Sequence, residues 1–232
     1  MKKKILIAVG IAVAVIAGII AAVVVSDLKQ EDKLKDEMVY IDELVNSENA
    51  DMDKVEKALA RTVTKGDYKT VEKAYKSYLS DCFDNILKIS EILNDERIAG
   101  CLTAENYASD GPEFIKTKEY LQTTKAQLEE YKNRYSEFFT EEKAMSYINN
   151  SGLDSYYTDL YKDEILGDIE SENEDKTVEN SLDDVINMLD ASEKVISFLS
   201  ENKNSWSLEN GNIVFSTDSL SNKYSELTAE LQ

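Results

Sequence analysis

Histidine is missing from the 232 residues, which hold only one proline, eight glycines, two cysteines and one tryptophan. Without histidine the commonest general base and metal ligand are gone, and with them every Ser/His/Asp and Cys/His catalytic arrangement. Proline and glycine fall far below their usual shares of about 5% and 7%, which argues against a turn-rich all-β fold and against flexible linkers. Basic residues are scarce as well: 26 Lys and Arg oppose 46 Asp and Glu, a net charge of −20. No cluster of lysine or arginine follows Lys4. Phosphate contacts supply most of the affinity for nucleic acid, so this chain has no nucleic-acid partner. The composition predicts a mostly helical, acidic protein working outside histidine chemistry.

What is present begins with Ile5–Val25, 21 consecutive apolar or glycine residues. At about 1.5 Å per residue such a helix spans the roughly 30 Å hydrocarbon core of a bilayer. Lys2, Lys3 and Lys4 precede it and hold the N-terminus in the cytoplasm. The expected layout is a cytoplasmic N-terminus (1–4), a transmembrane signal-anchor helix (5–25) and an extracytoplasmic domain (26–232), single-pass in the cell membrane. The alternative is a signal peptide cleaved near Val24-Val25-Ser26, with secretion of the rest. Cysteine occurs only at Cys82 and Cys101, so no lipid can attach at a mature N-terminal Cys. Gly10, Ala14, Gly18 and Ala22 repeat at a spacing of four, the small-xxx-small pattern through which membrane helices self-associate. Beyond residue 25 lie all 46 acids and 23 of the 26 bases, a net −23 that draws in cations and basic partners.

The exterior part reads as an all-α bundle of about six helices with one small C-terminal β-hairpin. Leu34, Met38, Ile41 and Val45 carry a first helix, and Met52, Val55, Leu59 and Val63 a short second one. Val71, Tyr75, Tyr78, Cys82, Ile86, Ile89 and Leu93 form the longest stripe, the third helix. Residues 94–111 lose the period and predict a connection. Asp110-Gly-Pro112-Glu then opens a long fourth helix with Phe114, Leu121, Leu128, Tyr131, Tyr135 and Phe138 on one face, continued briefly from Thr140. Leu153–Ile169 predicts a fifth helix and residues 170–177 an acidic connection. Val178, Leu182, Val185, Leu189, Ser192, Ile196 and Leu199 follow, one seam interrupted by a single serine. Alternation around Asn210-Gly211 is a strong hairpin signal, pairing Leu208 with Ile213 and Trp206 with Phe215 over 206–215. Thr217 starts a last helix. In layout, a four-residue N-terminus, one apolar helix and a helical exterior, the chain resembles LemA-type membrane proteins; no motif carries that likeness and no residue role follows from it.

Carboxylates are the one abundant catalytic side chain. Adjacent pairs such as Glu141-Glu142, Asp163-Glu164 and Asp183-Asp184 are what solvated helix faces produce at this acid content, and no spacing singles out a glycosidase pair. Asp168, Glu170, Glu172, Glu174 and Asp175 could draw a weak divalent cation, but the EF-hand pattern is absent. No cofactor and no dedicated metal site are expected. Cys82 and Cys101 could bridge if the third helix stops near Leu93 and could not if it reaches Arg97; two reduced cysteines are the favoured state. Of thirteen tyrosines, Tyr156, Tyr157 and Tyr161, together with Trp206 and Phe215, are candidate interaction residues, although stripe positions favour core roles for most of them. The function these observations support is a non-catalytic, membrane-anchored envelope protein that presents an acidic surface to a protein partner. The alternative is a cell-surface hydrolase or ligand-binding domain working through carboxylates and tyrosines.

Overall fold

Short polar side chains set many of the helix starts. In a computed structural model of the chain, which describes residues 29–45 and 51–231, Asp51, Asp95, Thr103, Thr140 and Thr217 each accept a hydrogen bond from a backbone N–H two or three residues on. The elements are α1 (Lys29–Val45), α2 (Met52–Ala60), α3 (Asp67–Leu93), α4 (Glu96–Gly100), α5 (Ala104–Asp110), α6 (Ile115–Phe138), α7 (Glu141–Ser146), α8 (Ser155–Asp175), α9 (Thr177–Glu201), the strands β1 (Trp206–Glu209) and β2 (Asn212–Phe215), and α10 (Asp218–Ala229). The protein is mostly helical with a small C-terminal two-stranded hairpin, as the periodicity predicts. The apolar run 5–25, the lysines before it and the Gly10–Ala22 row lie outside the described residues. Among those described, no helix is long and apolar enough to cross a membrane.

Several boundaries differ from the expectation. Residues 94–111 are not one connection but hold α4 and α5, each short and capped by its own acid or threonine. Residues 170–175 continue α8 rather than leaving it, and the break narrows to Lys176, at φ 46°. Local acidity is a poor helix breaker, because a solvated helix face tolerates it. The side chains of Asp168, Glu170, Glu172, Glu174 and Asp175 lie outside the described set. Among the described residues no group of three or more His, Cys, Asp or Glu could hold a metal.

The chain divides into two compact units. One comprises the described residues up to Lys88 together with Asn133–Val178; the other comprises Ile89–Lys132 and the described residues from Glu179 on. In the first, the α1 stripe of Leu34, Met38, Ile41 and Val45 is buried, as are Val71, Tyr75, Tyr78, Cys82 and Ile86 of α3. Buried tyrosines keep their polar tips satisfied: Tyr78 Oη donates to the Phe138 carbonyl at 3.0 Å and Tyr161 Oη to the Ala144 carbonyl at 2.8 Å. In the second unit, Leu182, Val185, Leu189, Ile196 and Leu199 of the α9 seam are buried. Ser192 is accommodated there because its hydroxyl donates to the Met188 carbonyl one turn back, at 2.9 Å. The hairpin has the expected register, Trp206 opposite Phe215 and Leu208 opposite Ile213, all four half-buried on one face.

Candidate functional site

The strongest chemical feature was not singled out by the sequence. It is a group of buried charges where α1, α2 and α3 meet. Glu37, Glu72 and Lys76 are all within a few per cent of complete burial. Glu72 and Lys76 share one face of α3, four residues apart, the spacing and order in which Glu and Lys pair on a helix. The Lys76 ammonium reaches Glu72 Oε1 at 2.8 Å and Glu37 Oε1, on α1, at 2.6 Å. It also donates to the carbonyls of Ala58 and Arg61, at 2.8 and 3.1 Å. These carbonyls end α2, where helical partners run out and a cation is favoured.

The other groups complete the balance. Arg61 Nε donates to Glu37 Oε1 at 2.8 Å, and Arg61 Nη2 bonds Glu37 Oε2 as well. Glu72 accepts from the backbone N–H of Val63 at 3.0 Å, and from both the N–H and the hydroxyl of Thr64, at 2.9 and 2.6 Å. Two carboxylates thus meet two cations, and the loop after α2 spends its inward N–H groups on Glu72. Burial alone would raise both glutamates. For Glu37 the Arg61 and Lys76 bonds outweigh it, and for Glu72 the bonds from Lys76, Thr64 and Val63 do, so both carboxyls sit below the ordinary value of 4.5 and stay ionised.

A third buried acid, Glu31, is held apart from this group. Lys35 bonds it at 2.9 Å, Tyr156 Oη at 2.8 Å and Tyr68 Oη at 3.4 Å. A cleft of about 390 Å³ lies beside Lys76, lined also by Arg61, Lys73, Ser77, Ser80 and Asp84. Neither Glu37 nor Glu72 is part of its lining. A glycosidase needs one carboxylic acid whose pKa is raised so that it can give a proton, and a second acid at a set separation beside the substrate. Here both acids are held anionic and turned onto a lysine. The arrangement locks three helices; it does not present an acid to a substrate.

No family model, curated protein or solved structure matches the chain. What the molecule can do follows from its own residues.

The structure places the five candidate interaction residues differently from one another. Tyr161 is buried. Tyr157 is half-buried with its ring 5.1 Å edge-on to Tyr68 and 5.2 Å from Tyr156. Tyr156 keeps an exposed face although its hydroxyl is tied to Glu31. Trp206 stacks on Phe114, ring centroids 6.0 Å apart, and its Nε1 donates to the Leu199 carbonyl at 2.8 Å. Phe215 packs between Phe198 and Tyr224, at 5.9 and 5.3 Å.

Both cysteines are free and buried. Burial pushes the Cys82 thiol up, and the Asp81 charge adds to it against the opposing pull of Tyr78 and Lys143. A thiol kept protonated and covered is a poor nucleophile. Iodoacetamide at neutral pH is therefore expected to leave Cys82 unmodified in the native protein and to label it in denaturant. Mass spectrometry of the digested protein reads the outcome, and rapid native labelling would contradict this packing.

Proposed function

We propose that the chain is a membrane-anchored, non-catalytic exterior protein that offers an acidic helical surface to a protein partner. The observation that carries this reading is the engagement of Glu37 and Glu72 by Lys76, which removes two of the three buried acids from any proton-transfer role. The net charge of −20 is then left for exposed helix faces, on which acids such as Glu129, Glu130 and Asp184 lie. The anchor and its orientation rest on the 5–25 run and the Lys2–Lys4 block.

Two measurements test it. Protease added to intact spheroplasts should remove an epitope placed after Ser26 while leaving cytoplasmic proteins whole; a protected epitope, or the full exterior part free in the medium, would overturn the anchored layout. A photo-crosslinking residue at Asp184, exposed on α9, should give a discrete protein adduct in intact cells. That adduct should weaken when salt is raised, since surface attraction is screened beyond about 8 Å at physiological strength. A chain that yields no adduct from exposed acidic positions, and that instead hydrolyses cell-wall polymer, would favour the hydrolase.

A further inference from the structure

The second unit contains a cleft of about 550 Å³ formed by α4, the turn before α5, α5 itself and the first turns of α6. That volume is in the range of small-molecule sites. Its walls are held in place by contacts within the fold. Asn106 Nδ2 donates to the Cys101 carbonyl at 2.7 Å and to Thr117 Oγ1 at 3.0 Å, and Thr117 donates its backbone N–H and its hydroxyl to Asp110 Oδ2, each at 2.8 Å. The Arg97 guanidinium lies 4.3 Å from the centroid of the Tyr120 ring and is fixed there by Asp95, with Nη2 at 2.6 Å.

Two groups in this cleft have no partner that the fold supplies. The Tyr120 hydroxyl is inside the protein and makes no hydrogen bond among the described residues. Thr124 and Asp95 both lie near enough to shift its pKa, but neither completes a hydrogen bond with it. Burial, with the Asp95 charge, pushes it up to about 12, so it carries its proton at neutral pH and is available as a donor. A buried donor left unbonded costs free energy that a ligand acceptor would recover. Lys116, exposed at the rim, is in no ion pair among the described residues, and the Asp110 carboxylate that feels its charge is already filled by Thr117 and backbone N–H groups. Glu105 is the single acid in the lining, against Arg97 and Lys116, the reverse of the balance in the whole chain. The Tyr120 ring gives the cleft its largest apolar surface, and Thr103, Asn106, Ser109 and Thr117 give it neutral polar walls.

We propose that this cleft binds a small carboxylate with an apolar body, the carboxylate accepting from the Tyr120 hydroxyl and facing the Lys116 ammonium while the body fills the space beside the Tyr120 ring. The site does not depend on the protein-partner reading, and its test is separate. The probe is 3-phenylpropanoate, titrated against the full chain by calorimetry and by ligand-observed NMR, with 3-phenylpropanamide as the uncharged control. Saturable binding at about one equivalent is expected, with the amide weaker by about fivefold or more. Tyr120→Phe and Lys116→Gln should each weaken the carboxylate about threefold to tenfold, the effect of one hydrogen bond or one partly exposed charge.

Tyr120→Phe also separates binding from folding. Because the hydroxyl has no partner in the free protein, its removal should leave the melting temperature unchanged or raise it. A variant that keeps its stability and loses affinity supports the site. No saturable binding at millimolar probe, equal binding of acid and amide, or unchanged affinity in both variants would overturn the proposal. A marked fall in melting temperature for Tyr120→Phe would overturn it as well, since the hydroxyl would then be serving the fold.

Discussion

Lys76→Met should destabilise the protein by about 3 to 5 kcal/mol, the largest effect expected of any single substitution where α1, α2 and α3 meet. Methionine matches the lysine stem closely in size, so packing is nearly conserved and the loss is electrostatic. Removing the ammonium strands Glu37 and Glu72, both almost fully buried, and leaves the Ala58 and Arg61 carbonyls without their donor. Arg61 still reaches Glu37, but it is half exposed and serves Glu72 only at a distance. Urea unfolding at neutral pH measures the change. Adding Glu37→Gln and Glu72→Gln to Lys76→Met should recover a good part of the loss, because neutral amides need no counter-charge. A Lys76→Met protein as stable as the parent would show that the group contributes nothing net.

The same group sets a pH dependence of known sign. Glu37 and Glu72 titrate below 4.5 in the folded protein and near it when unfolded. Their contribution is complete above that value and is lost as pH falls through the depressed folded values. Lower pH also relieves the repulsion among the many surface acids, which works the other way. Comparing Lys76→Met with the parent cancels that common effect. In the variant, burial without the ammonium favours protonated glutamates, so the stability gap should begin to narrow above 4.5, where the variant takes up protons, and go on narrowing down through the parent's depressed values. A gap of constant size from neutral pH to about pH 3 would contradict the assignment of these two glutamates.

Much of the fold was legible because it rests on period. The seven-residue stripe of α3 and the seam of α9 each repeat at three and four, and hydrophobic burial acts on that pattern directly. The hairpin was legible for a different reason: Asn210-Gly211 meets a backbone requirement that few dipeptides can satisfy. The charged group was not legible. Glu72-x-x-x-Lys76 has the look of an ordinary solvated helix pair, and 46 acids supply many such pairs by composition alone. The available signal was positional. Glu31 lies three residues before Leu34 and so extends the α1 stripe, while Glu72 sits between Val71 and Tyr75 on the buried side of α3. An acid in register with an apolar stripe is costly unless paired, and that cost points to a partner elsewhere in the chain. Which partner it is depends on how α1 and α2 pack onto α3, and that information is absent from any local window. The Tyr120 cleft was hidden similarly, since residues 94–111 read as a connection and their two short helices form its walls.

The second large effect is expected at the hairpin. Trp206 is half-buried, stacked on Phe114 and hydrogen-bonded to the Leu199 carbonyl, so Trp206→Ala removes packing and leaves that carbonyl without its donor. The loss should be about 2 to 3 kcal/mol, short of the roughly 3 to 5 of a fully buried tryptophan. Phe114 adds to the argument: it is fully buried with φ 54°, a conformation that a bulky side chain rarely adopts and that packing between Tyr107 and Trp206 must maintain. Gly111→Ala attacks the same cluster from the backbone. A Cβ there would collide with the Tyr107 carbonyl oxygen and lie 3.3 Å from the Trp206 ring, so backbone must move, at a cost of about 1 to 3 kcal/mol. Gly211→Val should cost about 1 to 2 kcal/mol, because Gly211 at φ 80° follows Asn210 at φ 50° in the turn and a β-branched residue resists that region. Each kcal/mol lowers the melting temperature by roughly 2 to 4 °C at this size. Trp206→Ala and Gly111→Ala act on one cluster, so their combination should fall short of additivity, whereas Gly211→Val should add fully to Gly111→Ala. Calorimetric melts of the single and double variants decide it. Full additivity of Trp206→Ala with Gly111→Ala would mean that the hairpin and the α5–α6 turn are not held by a shared contact, and unchanged stability in Trp206→Ala would return that residue to the surface as a binding anchor.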